Sequence, residues 1–334
     1  MDVSNAFLHG HLEEQVFCQQ PTGSVDPIHP DHMCLLLRSL YGLKQAHRAW
    51  YQRIMAFLHQ LGFRSICSDS SLFVYHQGAG TAYLLLYVDD IILTACTPNL
   101  LSQLTDRLRA EFAIKDLGPL HYFLRVEVVR RSDVPHSHSI GATVRSSAGV
   151  PSLHAPRDVH WASAKQILRY IRGTMDLGIT LRASTDTALI AYFDADWAGC
   201  SDTGRSTSDH RVFLGPSIIS WSSKWQPMVS RSSAEAEYRA VANVVTECSW
   251  LRQLLQELSC LVDRVTVVYC DNVSTVYLSA NPVHHRRTMH IELDIHFVRD
   301  QVALGHVHVL HVPTSQQFAD TMTNGLPTTV GNMP

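Results

Sequence analysis

The sequence has little excess charge of either sign. Its 27 basic and 30 acidic side chains leave a formal net charge of -3. That balance excludes a chain whose whole surface binds polyanions, while leaving room for a local basic groove. No CxxC pair occurs among the eight cysteines, at positions 18, 34, 67, 96, 200, 248, 260 and 270, which argues against a zinc ribbon or finger. The apolar runs are strand-length, such as Ala82 to Val88. All fall short of the roughly 18 residues needed to span a bilayer, so no membrane segment is expected. No signal-peptide pattern opens the chain, and free thiols fit a reducing intracellular setting. The twenty histidines fall in loose groups such as His284, His285 and His290. Their spacings fit no helical metal pair, so surface or core-edge positions are expected.

What is present is an ordinary globular composition. Hydrophobic residues make up 46% and charged residues 17% of 334 residues, enough for two domains with their own cores. Met1 to Phe7 reads as a strand entering a turn. Arg48 to Leu61 has helical periodicity and stops at Gly62. Ser71–Tyr75 and Ala82–Thr94 flank Gly78-Ala79-Gly80, a hairpin signal. Asn99 to Phe112 is amphipathic, with Asn99 as candidate cap. Leu120 to Val129 reads as strand. Ser132 to about His154 has the composition of a linker. Ala162 to Arg172 reads as a short helix with Lys165, Arg169 and Arg172 on one face, either solvated or contacting nucleic acid. The last block orders strand Ala188–Phe193, strand Arg211–Ser220, a neighbour around Trp221–Val229, helix Ala234–Leu258, strand Arg264–Cys270, a short helix, helix Ile291–Ala303, strand Val307–Val312 and a closing helix from Phe318. Strands first, then alternating helix and strand, predict a mixed sheet with helices on its faces.

Acidic residues carry the candidate chemistry. Asp89 and Asp90 lie between Leu84-Leu85-Leu86 and Ile91-Ile92-Leu93. Two adjacent acids in an apolar hairpin are costly unless a divalent cation compensates them, and the bland alternative is a solvated turn. Asp2, in a strand-to-turn stretch, is a candidate third carboxylate. Three carboxylates of this kind suit two-metal nucleotidyl transfer. In the second block, Asp194 follows a strand and Asp196 lies two residues on. Glu237 aligns with Val241, Val244 and Cys248 on the apolar stripe of its helix, whereas Glu235 aligns with Arg239, Ala242 and Thr246 on a more polar face. A helix-dipole role fits Glu235 better. Asp271 ends a strand, where an N-cap would also sit. Asp320 opens the last helix.

Four stretches resemble successive reverse transcriptase motifs of copia-type LTR retrotransposon polyproteins, in family order: Met1–Gly10 (MDVSNAFLHG), Leu40–Tyr51 (LYGLKQAHRAWY), Tyr87–Asp90 (YVDD) and Leu117–Leu124 (LGPLHYFL). Further stretches resemble the RNase H part of the same family: Phe193–Gly199 (FDADWAG), Trp221–Lys224 (WSSK), Ser230–Tyr238 (SRSSAEAEY), Tyr269–Asn272 (YCDN) and Gln317–Asp320 (QFAD). The resemblance implies an α/β fold of mixed α and β elements, a truncated reverse transcriptase palm followed by an RNase H-like mixed sheet with flanking helices. It implies boundaries at 1–131 for the partial palm without its fingers, 132–186 for a degenerate linker and connection remnant with the thumb deleted, and 187–330 for the RNase H-like domain.

The resemblance also implies roles. Asp2, Asp89 and Asp90 become catalytic metal ligands of the first site, and Asp194, Glu237, Asp271 and Asp320 those of the second, with Mg2+ or Mn2+ as cofactor. Phe7 is implied under the sugar, Gln45 at the nucleotide and template, Leu117–Leu124 at the primer, and Lys44 and Arg48 at phosphate. His311 is a candidate for assisting proton movement. The implied partners are RNA–DNA hybrid, primer–template and dNTP. The implied location is intracellular, cytoplasmic in a virus-like particle, with the nucleus as a second setting. The pattern departs from the family at His47, where Pro is usual, and at Arg125 and Asp209, where Gly is usual. Trp225, Met289 and Asn324 replace basic residues. Loss of those three cations weakens phosphate contact. The resulting expectation is RNA–DNA hybrid hydrolysis without polymerase activity. Its alternatives are a non-catalytic nucleic-acid-binding remnant and a pseudogene product.

Overall fold

A computed structural model describes residues 1–124, 126–130, 137–141, 161, 164, 165, 168, 169, 172, 173, 178–200, 202–280 and 291–319. The chain divides into two compact units, Met1–Leu120 and His121–Pro334. The division falls before the expected boundary at 131 and inside the Leu117–Leu124 motif.

The first unit is built on an antiparallel sheet in the order β4-β5-β6-β7-β1-β8. Its strands are β1 (Asp2–Val3), β4 (Phe63–Ser65), β5 (Leu72–Gln77), β6 (Gly80–Tyr87), β7 (Asp90–Ala95) and β8 (Ile114–Lys115). Strands β2 (His11–Gln19) and β3 (Met33–Arg38) form a separate two-stranded ribbon. The expected apolar run Ala82–Thr94 is thus two strands joined by Val88 and Asp89. Helix α1 (Ala46–Leu61) buries Ala46, Ala49, Trp50, Ile54, Leu58 and Leu61, a 3–4 residue spacing that makes one apolar stripe. Gly62 ends it in the left-handed region, φ 98°, where a Cβ is strained. Helix α2 (Pro98–Glu111) starts one residue earlier than expected. Thr97, not Asn99, is the cap, accepting from Leu100 N–H at 3.3 Å, because Pro98 at the first helical position needs no N–H partner. Both helices contribute to one core with Phe63, Phe73, Leu84, Ile91 and Phe112. Gly10 packs directly on α1: a Cβ there would sit 2.8 Å from Trp50 N and 2.9 Å from Ala49 C.

The second unit holds two sheets. One is four-stranded, β12-β11-β10-β9, from β9 (Tyr122–Phe123), β10 (Val126–Arg130), β11 (Ser137–Gly141) and β12 (Ile179–Arg182). Strand β11 lies inside the stretch expected as linker. Its backbone pairing with β10 and β12 supplies the order that its composition conceals. The helix expected at Ala162–Arg172 lies partly outside the described residues; those described within it are helical.

The other sheet runs β15-β14-β13-β16-β17. Strands β13 (Leu189–Asp196), β14 (Thr207–Leu214) and β15 (Ser217–Trp225) are antiparallel neighbours, whereas β16 (Thr266–Cys270) pairs parallel with β13, and β17 (Val307–His311) parallel with β16. The expected strand Arg211–Ser220 is broken at Gly215, whose φ of 52° makes the hairpin turn. Helix α3 (Ser233–Glu257) packs its Tyr238, Val241, Val244, Val245 and Cys248 on Leu189, Ala191, Phe193, Val212 and Val268. Helices α4 (Val273–Ala280) and α5 (Glu292–Ala303) complete the layer, with Ile295 and Val298 in the same core. The closing helix expected from Phe318 lies almost wholly outside the described residues. Among those described, no helix is long and apolar enough to cross a membrane.

Candidate metal-binding carboxylate sites

In the first unit, strand pairing alone brings the candidate acids together. Asp2 lies opposite Asp90 on one side and Lys115 on the other. Val3 N–H donates to Asp89 O at 2.8 Å, and Ile91 N–H donates to Met1 O at 2.9 Å. Those two bonds bracket Asp2 and Asp90 as a non-hydrogen-bonded pair, the type whose side chains leave one face and approach closest. Asp90 is shifted up, first by burial and then by the negative charges of Asp89 and Asp2, opposed by the Met1 ammonium. Asp2 and the Asp89–Asp90 pair therefore feel each other electrostatically. They do not form a group of three whose ligand atoms all lie within 4.8 Å.

The turn that presents Asp89 is held by a residue that sequence reading missed. Trp50 Nε1 donates to Val88 O at 2.6 Å. Val88 has φ 56°, a left-handed conformation uncommon for a β-branched residue. The side chains His47, Trp50, Tyr51, Leu86 and Val88 line a small cavity beside this turn, with Ser70 and Ser71. Phe7 sits in a short 3-10 turn, edge-on to Tyr41 at 4.8 Å and to His47 at 4.4 Å. Ser39 Oγ donates to Phe7 O. Gln45 precedes α1 as its N-cap without a side-chain capping bond, and Lys44 and Arg48 are exposed. No signal in the sequence marks Ser39. Trp50 belongs to the Leu40–Tyr51 motif, but its hydrogen bond to Val88 is a property of packing.

In the second unit, the parallel β13–β16 pairing and the start of α3 converge. Asp194, Glu237 and Asp271 each offer a carboxylate oxygen within 4.8 Å of the others. Asp194 and Glu237 are 8% and 7% exposed. Thr314 Oγ1 donates to Asp271 Oδ2 at 2.9 Å and orients it. Gln317 Nε2 donates to Phe193 O at 2.9 Å, tying the following segment to the strand that carries Asp194.

Glu235 is occupied elsewhere. It accepts from Arg231 N–H at 3.0 Å and pairs with Arg239 at 2.8 Å, while Ser232 caps its backbone N–H. The start of the helix therefore holds one acid, Glu235, in capping and ion-pair contacts and brings the other, Glu237, to the carboxylate cluster. Asp320 lies outside the described residues. His311 is exposed on β17, the strand partner of Cys270.

The donor set fits a hard divalent cation. Three carboxylates this close repel unless a positive ion screens them, and oxygen donors suit Mg2+ or Mn2+. Burial, then the negative charges of Glu237, Asp271 and Asp194, push the neighbouring Cys270 thiol up. Asp209 lies opposite Asp194 on β14 and is 1% exposed. Burial raises it to about 6, with Asp196 adding to the rise and Ser223 and Arg211 opposing it. A glycine at this position would bring no such charge.

A five-stranded sheet whose first three strands are antiparallel, whose last two continue parallel to the first, and whose acids cluster at strand ends and one helix start defines an RNase H-like fold. Residues 1–137 match the family described as reverse transcriptase (RNA-dependent DNA polymerase). The retrovirus-related Pol polyprotein from transposon RE2 of Arabidopsis thaliana is 40% identical over 383 residues, covering 98% of this chain and 26% of that protein. Its counterpart from transposon TNT 1-94 of Nicotiana tabacum is 31% identical over 394 residues, covering 98% of this chain and 30% of that protein.

The chain belongs to the copia-type retrotransposon Pol family and carries its reverse transcriptase and RNase H-like parts. It spans about a quarter of the length of these relatives. The alignments are longer than the chain's 334 residues, so the relatives carry internal segments that this chain lacks. Among solved structures, LC11-RNase H1 from compost aligns with TM-score 0.32 and 16% identity, covering 41% of this chain and 92% of that one. The foamy viral protease-reverse transcriptase in complex with RNA/DNA hybrid aligns with TM-score 0.48 and 12% identity, covering 100% of this chain and 45% of that one. The fold assignment rests on strand order and on the sequence relatives, not on these scores.

Proposed function

We propose that the second unit hydrolyses the RNA strand of RNA–DNA hybrids by two-metal chemistry. The observation that carries this reading is the convergence of Asp194, Glu237 and Asp271 within 4.8 Å. These three, with Asp320, are the ligands of the proposed site. A pair of Mg2+ or Mn2+ ions held there would stabilise both the attacking and the leaving oxygens of an in-line phosphoryl displacement. Glu237 fixes the buried side of the site from α3. Asp271, oriented by Thr314, faces it from the end of β16.

The first unit is proposed as a palm remnant. Asp2, Asp89 and Asp90 are its metal-binding acids, Phe7 and Gln45 its sugar and nucleotide contacts, and Lys44 and Arg48 its phosphate contacts. Primer–template and dNTP are its proposed ligands. Its acids are looser as a group than those of the second unit, which favours hybrid hydrolysis over polymerisation. An intracellular setting, in a cytoplasmic particle or the nucleus, accompanies this reading.

The test is incubation of the full chain with labelled RNA–DNA hybrid and Mg2+. Cleavage of the RNA strand that Asp194→Asn reduces at least about 100-fold is expected, on the scale of losing a group that acts as part of a catalytic unit. No cleavage, or cleavage indifferent to that substitution, removes the nuclease reading. Magnesium-dependent binding without turnover would replace it with a non-catalytic hybrid binder.

A further inference from the structure

The β2–β3 ribbon places Cys18 directly opposite Cys34. Opposed residues of an antiparallel pair have Cα atoms roughly 4.5–5.5 Å apart. That lies inside the range of about 4.4–6.8 Å that a disulfide spans. Side chains of opposed residues leave the same face of the ribbon. Both thiols are free and half-buried, open to a small reagent. Among the described residues no other two cysteines are strand partners, and Cys248 and Cys270 are buried.

The register around the pair is held from both ends. Val16, Phe17 and Gln19 face Leu36, Leu35 and Met33 without interruption. Beyond Cys18, Gln20 Nε2 donates to His29 O at 2.8 Å and His32 O at 2.9 Å, closing the loop. At the base, Ser39 N–H donates to Gly10 O at 2.9 Å. The ribbon has little core of its own: Phe17, Met33 and Leu35 on the opposite face are 54%, 53% and 47% exposed. An isolated two-stranded ribbon is marginal in water, so a covalent clip there changes its stability.

We propose that Cys18 and Cys34 form a redox-active dithiol that closes to a cross-strand disulfide when a low-molecular-weight disulfide, such as glutathione disulfide, is in excess. The thiolate of one cysteine attacks glutathione disulfide and releases one glutathione thiol. The second cysteine then attacks the mixed disulfide and releases the other. Two protein thiols are oxidised, one glutathione disulfide is reduced to two thiols, and the protons pass to the released glutathione. The clip locks the ribbon whose base adjoins Phe7, through Ser39. The inference stands apart from the nuclease reading, because its test measures no cleavage.

The full wild-type chain is equilibrated with glutathione disulfide in excess, quenched by alkylation, and digested without reduction for mass spectrometry. A peptide pair joined through Cys18 and Cys34, about 2 Da lighter than the dithiol, is the expected product. Amide exchange over residues 11–19 and 33–38 then slows by about tenfold or more. Cys18→Ser and Cys34→Ser each lose the linked pair. Alkylation of both as free thiols, separate glutathionylation of each, or linkage of Cys18 to another cysteine, in a chain whose circular dichroism is native, overturns the proposal. The wild-type measurement decides the matter even if a variant fails to fold.

Discussion

Asp209 shows how one residue alters the pH response of its unit. Buried opposite Asp194 and raised to about 6, it binds its proton more tightly folded than unfolded. Its contribution to stability is fully present below the ordinary carboxylate value of 3.8 and is lost as pH rises through about 6. The loss is at most about 3 kcal/mol and less after solvent screening. Asp209→Asn is therefore expected to raise the melting temperature at pH 7.5 and to flatten its change between pH 4 and 6. Thermal melts across that range check it, and an unchanged slope would count against the buried-charge account. At the triad the sign is set by repulsion between carboxylates within 4.8 Å. In EDTA, Asp194→Asn should stabilise the second unit by about 1–3 kcal/mol through removal of that repulsion. The same substitution should also remove the stabilisation that Mg2+ gives the wild type. Calorimetry with and without the ion reads both effects.

The elements depend on a few close approaches that hydrophobic patterning does not reveal. Gly10 lies against the backbone of α1, with 2.8 Å from a built Cβ to Trp50 N. Gly10→Ala must push the turn off the helix, at a cost of about 1–3 kcal/mol in a denaturant melt. Thr97 caps α2, and Thr97→Ala should cost about 1 kcal/mol by the same measurement. The legibility of these elements was uneven. Helix α3 could be read residue by residue, and the assignment of Glu237 to the sheet side rather than Glu235 followed from the stripe it shares with Val241 and Val244. Strand β11 could not be read, because its order comes from pairing with β10 and β12 rather than from any alternation of its own. The expected strand Arg211–Ser220 runs through the β14–β15 hairpin because β-branched and aromatic residues continue past the turn, which only the Gly215-Pro216 pair marks.

At the scale of the whole molecule, the two units have separate cores, one around Phe73 and Leu108, the other around Val241 and Val268. Two unfolding transitions are expected. Phe73→Ala should lower only the first unit's transition, by about 3–5 kcal/mol. Val268→Ala should lower only the second's, by a smaller amount. A single transition shifted by both substitutions would mean that the units unfold together.

The sequence by itself determined the family and named the candidate acids: runs such as YVDD and SRSSAEAEY are long enough to be matched without coordinates, and the stripe on α3 is a local property of residues three and four apart. Tertiary structure alone decided which acids meet. Asp194, Glu237 and Asp271 come from a strand, a helix start and the residue that follows a second strand, and their convergence depends on the parallel β13–β16 pairing of residues 77 apart in the chain, as Ile190 with Val267. The opposition of Cys18 to Cys34 was hidden for the same reason. Strand register is set by hydrogen bonds between distant segments, and spacing along one chain carries no record of it.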